Sequence, residues 1–247
     1  MDSSPGAGRA FPATRHSILL AARSGDPEER RRAFGVLVAS YWKPVYKYLR
    51  LRWRQSAEDA EDLTQGFFAR AFEKGFFDRF DPERARFRTF LRTCLDAYAA
   101  NVRVAAARLK RGGAVETLSL DFATAEGELR LQPAADGDME EYFHREWVRS
   151  VFGTAVDALR RHAEARGRSL AFEVFRRYDL DDADGAERPT YAELGQALGL
   201  PTTQVTNHLA AMRREFRRLV LDALREQCAT DREFRAEARA LLGVDAP

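Results

Sequence analysis

The stretch DAEDLTQGFFARAF, residues 59–72, places three carboxylates in its first four positions and follows them with a largely apolar run. On a helical wheel, this stretch and its flanking residues divide into two faces. The apolar face contains Ala60, Leu63, Phe67, Phe68, Ala71 and Phe72, with Thr64 among them. The polar face contains Glu58, Asp59, Asp62, Gln65, Gly66, Arg70 and Glu73. The pattern predicts a helix with one face in a core and the other presented outward.

Helical spacing continues on both sides of this stretch. Apolar residues recur at helical intervals from residue 17 onward, and the short alternating runs that mark strands are missing. The first half of the chain is expected to contain helices over about 15–24, 27–53, 56–74 and 83–110. We therefore predict an all-α fold, built as two small helical domains joined by an acidic linker.

Composition narrows the class of protein. The 247 residues carry a net charge of only +2, yet residues 84–111 contain eight Lys and Arg side chains against Asp96 alone. Cys94 and Cys228 have neither CxxC nor Cys/His spacing, which argues against disulfides and structural zinc. No apolar run approaches the roughly 20 residues of a membrane span. We expect a cytoplasmic protein without metal, cofactor or membrane contact.

The chain divides by composition into five segments. Residues 1–14 are predicted to be a flexible N-terminus, and residues 15–111 a first helical domain. Residues 112–141 hold four glycines and eight carboxylates against Arg130 alone, which predicts an acidic linker. A second helical domain is expected over 142–227, followed by a C-terminal helical extension over 228–247, where Thr230 and Glu233 form a capping-box pattern.

The clearest local motif begins at Thr190, where TYAELGQALGLPTTQVTNHLAAMRREFRRL predicts a helix-turn-helix. Thr190 and Glu193 match a capping box, and Gly199 suits a left-handed turn. Gly195 leaves room for the second helix, whose Val205, Leu209 and Met212 should face inward. The residues expected to meet DNA are Thr203, Gln204, Thr206, Asn207 and His208 at base edges, and Arg213, Arg214 and Arg217 at phosphates. The plainer alternative is a helical hairpin with a solvated basic face.

The order YWKPVYKYL, DAEDLTQGFFARAF, FDPERARFRTFL, linker and helix-turn-helix resembles the extracytoplasmic-function group of sigma-70-like bacterial transcription initiation factors. The resemblance covers roughly residues 15–111 and 142–225. It implies a non-catalytic protein that binds core RNA polymerase, through its clamp coiled coil and flap, and promoter DNA. The first domain would act at the −10 element and the second at the −35 element.

The resemblance also assigns residues to the polymerase contact. It implies docking on the clamp through Asp59, Asp62, Gln65 and Gly66. Gly66 departs from the family, which usually has Glu there. A glycine inside a helix costs about 1 kcal/mol relative to alanine, so the departure needs an explanation.

The basic segment that follows would open the −10 element. Melting requires cations for the displaced strand and aromatic groups for unpaired bases. The predicted DNA contacts are Arg88, Arg92, Asn101, Arg103 and Arg108. Phe87, Phe90 and Tyr98 are either stacking groups or core residues, since their spacing is helical. By resemblance Asn101 matches a base-reading asparagine, whereas Ala97 replaces another. The acidic linker would follow the RNA path through the polymerase or serve as a solvated tether.

Control and alternatives remain open at the level of sequence. The resemblance suggests an anti-sigma factor or a Ser/Thr protein kinase, with Thr64 as a phosphorylation site; the alternative is a buried threonine bonding its own helix. A stand-alone helix-turn-helix regulator would explain residues 190–218 but not the acidic helix. An enzyme with a metal site at the acidic helix start is disfavoured, because those carboxylates fan around the helix and no histidine joins them.

Overall fold

A computed structural model describes residues 18–106, 120–131, 138–181 and 188–243. Within these ranges every regular element is helical, which confirms the all-α prediction. The helices are α1 (Ile18–Ala21), α2 (Pro27–Arg52), α3 (Ala57–Glu73), α4 (Phe87–Ala106), α5 (Phe122–Leu131), α6 (Met139–Ala165), α7 (Ser169–Phe175), α8 (Tyr191–Leu198), α9 (Thr202–Gln227) and α10 (Asp231–Leu242), with a 3₁₀ turn at Phe76–Arg79 and a π turn at Arg176–Leu180. The predicted flexible segment 1–14 and Arg108 lie outside the described residues.

Helix α2 lies at the centre of the fold. It starts at Asp26, whose side chain accepts from the Glu28 amide, and Pro27 occupies the first helical position. Side chains on several sides of its second half are buried, among them Tyr41, Val45 and Leu49. Helices α3, α5 and α6 all pack against it. Because the second half of α2 is buried on several sides, α2 brings the two predicted halves of the chain together.

The two halves share one continuous core. Phe143 of α6 meets Tyr48 of α2 edge to face, with ring centroids 5.6 Å apart. Ser150 of α6 donates to the Ser40 carbonyl at 2.7 Å. Helix α6 continues the core to α9, where the Trp147 indole donates to Gln227 at 2.7 Å. The second half of the molecule is therefore docked on the first through α2 and α6.

Part of the predicted acidic linker is helix α5, and it lies on α2. Phe122 inserts between Trp42 and Tyr46, with centroid distances of 5.4 and 5.2 Å. Glu126 accepts two hydrogen bonds from Arg50, at 2.7 and 2.9 Å, and one from Tyr46 at 2.8 Å. The Arg50 guanidinium holds the pKa of Glu126 to about 2. Glu126 of this segment is thus bound to the first domain, which the tether interpretation did not anticipate.

A buried lysine ties three helices together. The side chain of Lys47 in α2 is only 1% exposed, and its ammonium donates to Glu146 of α6 at 2.6 Å and Glu128 of α5 at 2.8 Å. Lys43, one turn earlier, also donates to Glu128 at 2.7 Å. A buried ammonium is strongly unfavourable without such partners. Lys47 therefore fixes where α5 and α6 can lie on α2.

The capping and turn chemistry predicted around α8 is confirmed. The Glu193 amide donates to the Thr190 hydroxyl at 3.2 Å, and the Glu193 carboxylate accepts from the Thr190 amide at 2.8 Å. Gly199 ends the helix in the left-handed region, with φ of 66°. A Cβ on Gly195 would lie 2.6 Å from the Leu200 carbonyl oxygen. The turn between α8 and α9 thus passes directly over Gly195.

The predicted C-terminal extension contains a helix, α10, that is part of the core. The Thr230 hydroxyl accepts from the Glu233 amide at 3.1 Å, while the Glu233 carboxylate accepts from the Ala229 amide at 3.0 Å. Phe234 and Ala238 are buried, and the Arg225 guanidinium of α9 lies over the Phe234 ring. Its third buried side chain is the carboxylate of Glu237.

We predict that Gly195→Ala destabilises the protein by about 1–3 kcal/mol, because the new methyl meets a backbone oxygen that cannot move aside. Gly153→Ala is the matched control: Gly153 is exposed in α6, and nothing lies within 4 Å of the position its Cβ would take. Gly153→Ala should raise stability by up to about 1 kcal/mol through helix propensity alone. Urea denaturation measures the free energy of unfolding of both variants. Equal changes in the two would contradict the close approach of the Leu200 carbonyl to Gly195.

Candidate nucleic-acid interface

The carboxylates at the start of α3 have two different roles, since one caps the helix and another is exposed on the surface. The Ser56 hydroxyl accepts from the Asp59 amide at 3.0 Å and donates to the Asp59 carboxylate at 2.7 Å, so this carboxylate serves the N-cap. Asp62 is exposed and forms no ion pair within the described ranges. Gln65 is half-buried beside it. Among the side chains predicted for the polymerase contact, Asp62 is thus the most clearly presented charge.

The buried face of α3 is the apolar face that the helical wheel predicts. Ala60, Phe67, Phe68 and Ala71 are buried, and Leu63 and Phe72 are half-buried. This face is held mainly by α2, which fixes the direction of the acidic face.

Gly66 has a structural role that the sequence did not reveal. Its missing Cβ would lie 2.5 Å from the hydroxyl oxygen of Tyr98 in α4. The Tyr98 ring packs on Phe67 of α3, with centroids 5.7 Å apart, so it is held in this position. The glycine at position 66 therefore lets Tyr98 cross α3. A glutamate at this position would compete with that aromatic contact.

Thr64 is fully buried at 0% exposure, and its hydroxyl donates to the Ala60 carbonyl at 2.6 Å. This is the second of the two interpretations made from the sequence, a threonine bonding its own helix. A kinase could reach the hydroxyl only if α3 left the core. The described fold thus does not favour Thr64 as a phosphorylation site.

A cavity of about 590 Å³ opens between α3, the 3₁₀ turn and α4. Its lining combines three cations with three aromatic rings and an amide: Arg70, Lys74, Arg79, Phe76, Phe90, Tyr98 and Asn101. Burial raises the pKa of the Tyr98 hydroxyl, which therefore stays neutral. Cations beside exposed ring faces suit a single strand, whose phosphates and unstacked bases need those two kinds of contact.

Sequence reasoning missed Phe76 and all three of the cations among these residues. Arg70, Lys74 and Arg79 are separated by the turn at Gly75, and only the tertiary structure places them around one opening. The sequence signal for this site was the high density of cations and phenylalanines in ARAFEKGFFDRF. The same stretch has the pattern of a helix end followed by a turn. Ala97, noted for replacing an asparagine, also lines the cavity.

The arginines predicted for −10 contact fall into two groups. Arg103 and the neighbouring Asn101 are exposed. Arg88 is buried instead, donating to Glu237 of α10 at 2.7 Å and lying 4.8 Å from the centre of the Trp147 ring. Arg92 donates to Glu140 of α6 at 3.1 Å. Neither guanidinium is free to contact DNA in this conformation.

The aromatics of α4 also separate. Phe87 is a core residue at 1% exposure and packs between Tyr41 and Phe77. Phe90 and Tyr98 are half-buried at the cavity, where they keep one side toward solvent.

The exposed side of α9 carries the residues predicted to read bases. Thr203, Gln204, Thr206 and Asn207 are exposed and His208 is half-buried, while the predicted inward residues Val205, Leu209 and Met212 are buried. The Thr206 hydroxyl donates to the Thr202 carbonyl at 3.0 Å.

The predicted phosphate contacts on α9 differ in their surroundings. Arg213 makes two hydrogen bonds to Asp179, at 2.7 and 2.8 Å, and lies over the Tyr178 ring. Arg214 and Arg217 are exposed and form no ion pair within the described ranges. These two arginines are therefore the cations most ready for a phosphate.

Among the described residues no group of three or more His, Cys, Asp or Glu side chains could hold a metal ion. Cys94 and Cys228 are both free thiols. No helix in the described ranges is long and apolar enough to span a membrane.

Residues 37–108, from the middle of α2 through α4, match the family model of sigma-70 region 2. The chain contains a sigma-70 region 2 domain. This domain supports membership in the sigma-70-like sigma factors, and it indicates a transcription initiation factor that acts in promoter recognition by RNA polymerase. Core polymerase and promoter DNA are the partners that the region 2 domain implies. The comparisons found no matching curated protein and no matching solved structure.

We predict a coupling between Gly66 and Tyr98. Gly66→Ala should cost about 1 kcal/mol or more, because the methyl forces Tyr98 off Phe67. In a Tyr98→Phe background the nearest remaining atom, the ring carbon that carries the hydroxyl, lies 3.7 Å away, an ordinary contact. There the same change should stabilise by up to about 1 kcal/mol through helix propensity. A double-mutant cycle by urea denaturation measures the coupling, and additive effects would disprove the contact.

Proposed function

We propose that the protein is an extracytoplasmic-function type sigma factor that binds core RNA polymerase, opens the −10 element with its region 2 domain and reads the −35 element with α8 and α9. The cavity of cations, aromatic rings and Asn101 within region 2 carries the proposal. It brings together the groups that hold a displaced strand, and it does so in the part of the chain that matches sigma-70 region 2.

The polymerase contact is assigned to the outer face of α3. Asp62 stands on a helix whose inner face is locked into the core, so its carboxylate has a fixed position on the surface. A fixed exposed carboxylate suits a basic partner, where charge complementarity sets register and speeds association. Asp59 and Gln65 flank it, while Gly66 serves the contact with Tyr98.

The −35 contact is assigned to the first turns of α9. Gln204 and Asn207 are exposed, and their amides are able to bond adenine at two points. Arg214 and Arg217 follow at a helical interval that places phosphate contacts behind the base contacts. Gly195 and Gly199 support this assignment, because they bring α8 and α9 as close as a helix-turn-helix requires.

A stand-alone helix-turn-helix regulator explains the second half of the chain only. It gives no reason for a region 2 domain over residues 37–108. The protein would act in the cytoplasm with the polymerase. Control by a separate anti-sigma factor stays a prediction from the resemblance, and a kinase acting at Thr64 would first have to detach α3.

We predict that Asp62→Arg weakens binding to core polymerase at least tenfold and reduces run-off transcription to match, because like charges then meet at the contact. Glu164→Arg is the matched control, since Glu164 is an exposed carboxylate of α6 far along the chain from α3. The control should bind as the wild type does. The proposal would be wrong if the wild type did not bind core polymerase, or if Asp62→Arg bound it as tightly as the wild type does.

We expect substitutions of Asn207 and Arg217 in α9 to impair DNA binding in two different ways. Asn207→Ala should change the preferred −35 bases, at a cost of about 1–3 kcal/mol for the original sequence. Arg217→Ala should weaken binding to all sequences alike and lower the salt dependence by about one phosphate contact. Selection of bound promoter sequences with reconstituted holoenzyme, at two salt concentrations, separates these outcomes. A uniform loss in both variants would show that α9 does not read bases.

A further inference from the structure

Arg213 of α9 is held in place by two neighbouring residues of the π turn. Its Nε and Nη2 donate to the two carboxylate oxygens of Asp179, at 2.8 and 2.7 Å. Its guanidinium carbon lies 5.4 Å from the centre of the Tyr178 ring, within the range of a cation–π contact. Tyr191, the first residue of α8, packs on Tyr178 with ring centroids 5.0 Å apart. The direction of the guanidinium is therefore fixed from two sides.

We propose that Asp179 is a positioning residue for the −35 contact, which holds the Arg213 guanidinium on the face of Tyr178 in the orientation that receives a DNA phosphate. The proposal rests on the proposed function, because it takes α9 to lie on −35 DNA. The opposite interpretation is that Asp179 neutralises Arg213 and keeps it from DNA. The two interpretations predict effects of opposite sign when the carboxylate is removed.

Arg213 lies at the edge of the surface proposed to read bases. It follows Thr206 by seven residues, so it stands two turns later on nearly the same line of α9, and Arg217 stands one turn further. All three side chains are exposed. A DNA strand that passes the first turns of α9 along this line would bring its phosphates to Arg213 and Arg217.

The ion pair uses only one edge of the guanidinium. An arginine has five N–H donors, and Asp179 accepts from Nε and Nη2, so further donors remain for a phosphate. The Asp179 side chain is 20% exposed and that of Arg213 is 44% exposed. The carboxylate is thus the more buried partner, and the guanidinium is the one that reaches solvent.

Holding the guanidinium in advance favours a phosphate contact. A free arginine side chain loses rotamer freedom when it binds, whereas the two-point ion pair has already restricted Arg213 in the folded protein. The Asp179 carboxylate also repels a phosphate. Because orientation and repulsion act in opposite directions, a variant that removes the charge but keeps the size of the side chain separates them.

The π turn brings Asp179 to α9 from a distant part of the chain. Asp179 precedes Arg213 by 34 residues, and it lies in the segment Arg176–Leu180 that follows α7. The wider π turn changes the direction of side chains relative to an α-helix, and such turns are frequent at functional sites. Asp181, just after the turn, accepts from Arg176 at 2.6 Å instead. Two nearby carboxylates therefore differ in role, since Asp181 pairs locally and Asp179 pairs with α9.

The first test measures the affinity of reconstituted holoenzyme for a duplex promoter fragment at several salt concentrations. Asp179→Asn should weaken binding about fivefold, although it removes a negative charge, and should not steepen the slope of log K against log salt. If Asp179 instead neutralises Arg213, the variant binds more tightly, with a slope steeper by about 0.9. Tighter or unchanged binding would overturn the proposal.

Asp181→Asn is the matched control for this test. It makes the same change of charge two residues away and disturbs an ion pair that does not involve α9. We expect Asp181→Asn to bind promoter DNA at least as tightly as the wild type does. Equal weakening by Asp179→Asn and Asp181→Asn would show that the effect is not specific to Arg213, which also contradicts the proposal.

The second test asks whether Asp179 acts through Arg213. Arg213→Lys keeps the positive charge but cannot form the two-point pair, so it should weaken binding about as much as Asp179→Asn does. In an Arg213→Gln background, Asp179→Asn should cause no further loss. Wild-type affinity in Arg213→Lys, or a full further loss in the double variant, would overturn the proposal. Thermal unfolding checks the fold, and Arg213→Lys alone decides if Asp179→Asn loosens the π turn.

Arg217→Ala distinguishes a failure of this proposal from a failure of the proposed function. If Arg217→Ala weakens promoter binding while Asp179→Asn does not, the positioning role is wrong and the −35 assignment of α9 stands. If promoter binding is unchanged by Asn207→Ala, Arg213→Gln and Arg217→Ala alike, α9 does not contact the −35 element. That result would overturn the proposed function of α9 together with this inference.

Discussion

The buried ammonium of Lys47 is the constraint on which the arrangement of the molecule depends. It lies in the middle of α2, where most neighbouring side chains are apolar, and an ammonium there must be neutralised. Its partners come from α5 and α6, about 80 and 100 residues further along the chain. The acidic segment and the second helical half are thus bound to the region 2 domain by the same charge. Apolar contacts, such as that of Phe122 between Trp42 and Tyr46, add buried surface between the helices. Lys47 sets the position of α5 and α6 on α2.

The proposed function gives some of the charged residues two competing sets of partners. Carboxylates in α5, α6 and α10 bind cations of α2 and α4, although the chain as a whole is nearly neutral. Under the proposed function, a nucleic acid would compete for some of the same cations. Ion pairs are suited to such exchange, because one carboxylate or phosphate can replace another at a guanidinium with little change in geometry. Apolar packing of the same area would be harder to part.

Gly66 shows how a single residue connects two surfaces. It lies on the helix that carries the acidic face, and its missing side chain makes space for Tyr98 at the edge of the cavity. From the sequence it was a departure from a family pattern and a weak point in a helix. In the structure it permits the aromatic wall of the proposed strand-binding site. The helix proposed to face polymerase and the cavity therefore share one contact between α3 and α4.

The sequence by itself determined what depends on neighbours within a few residues. It predicted the helical class, the two faces of α3, the capping box at Thr190 and the left-handed Gly199, because periodicity and capping act over one or two turns. Only the tertiary structure decided the partners of Lys47, Gly66 and Arg88, which lie 32 to 149 residues away. It also gathered Arg70, Lys74 and Arg79 around one cavity. The sequence does not show which distant residue a charged side chain or a glycine will contact, because that contact follows from how the helices pack.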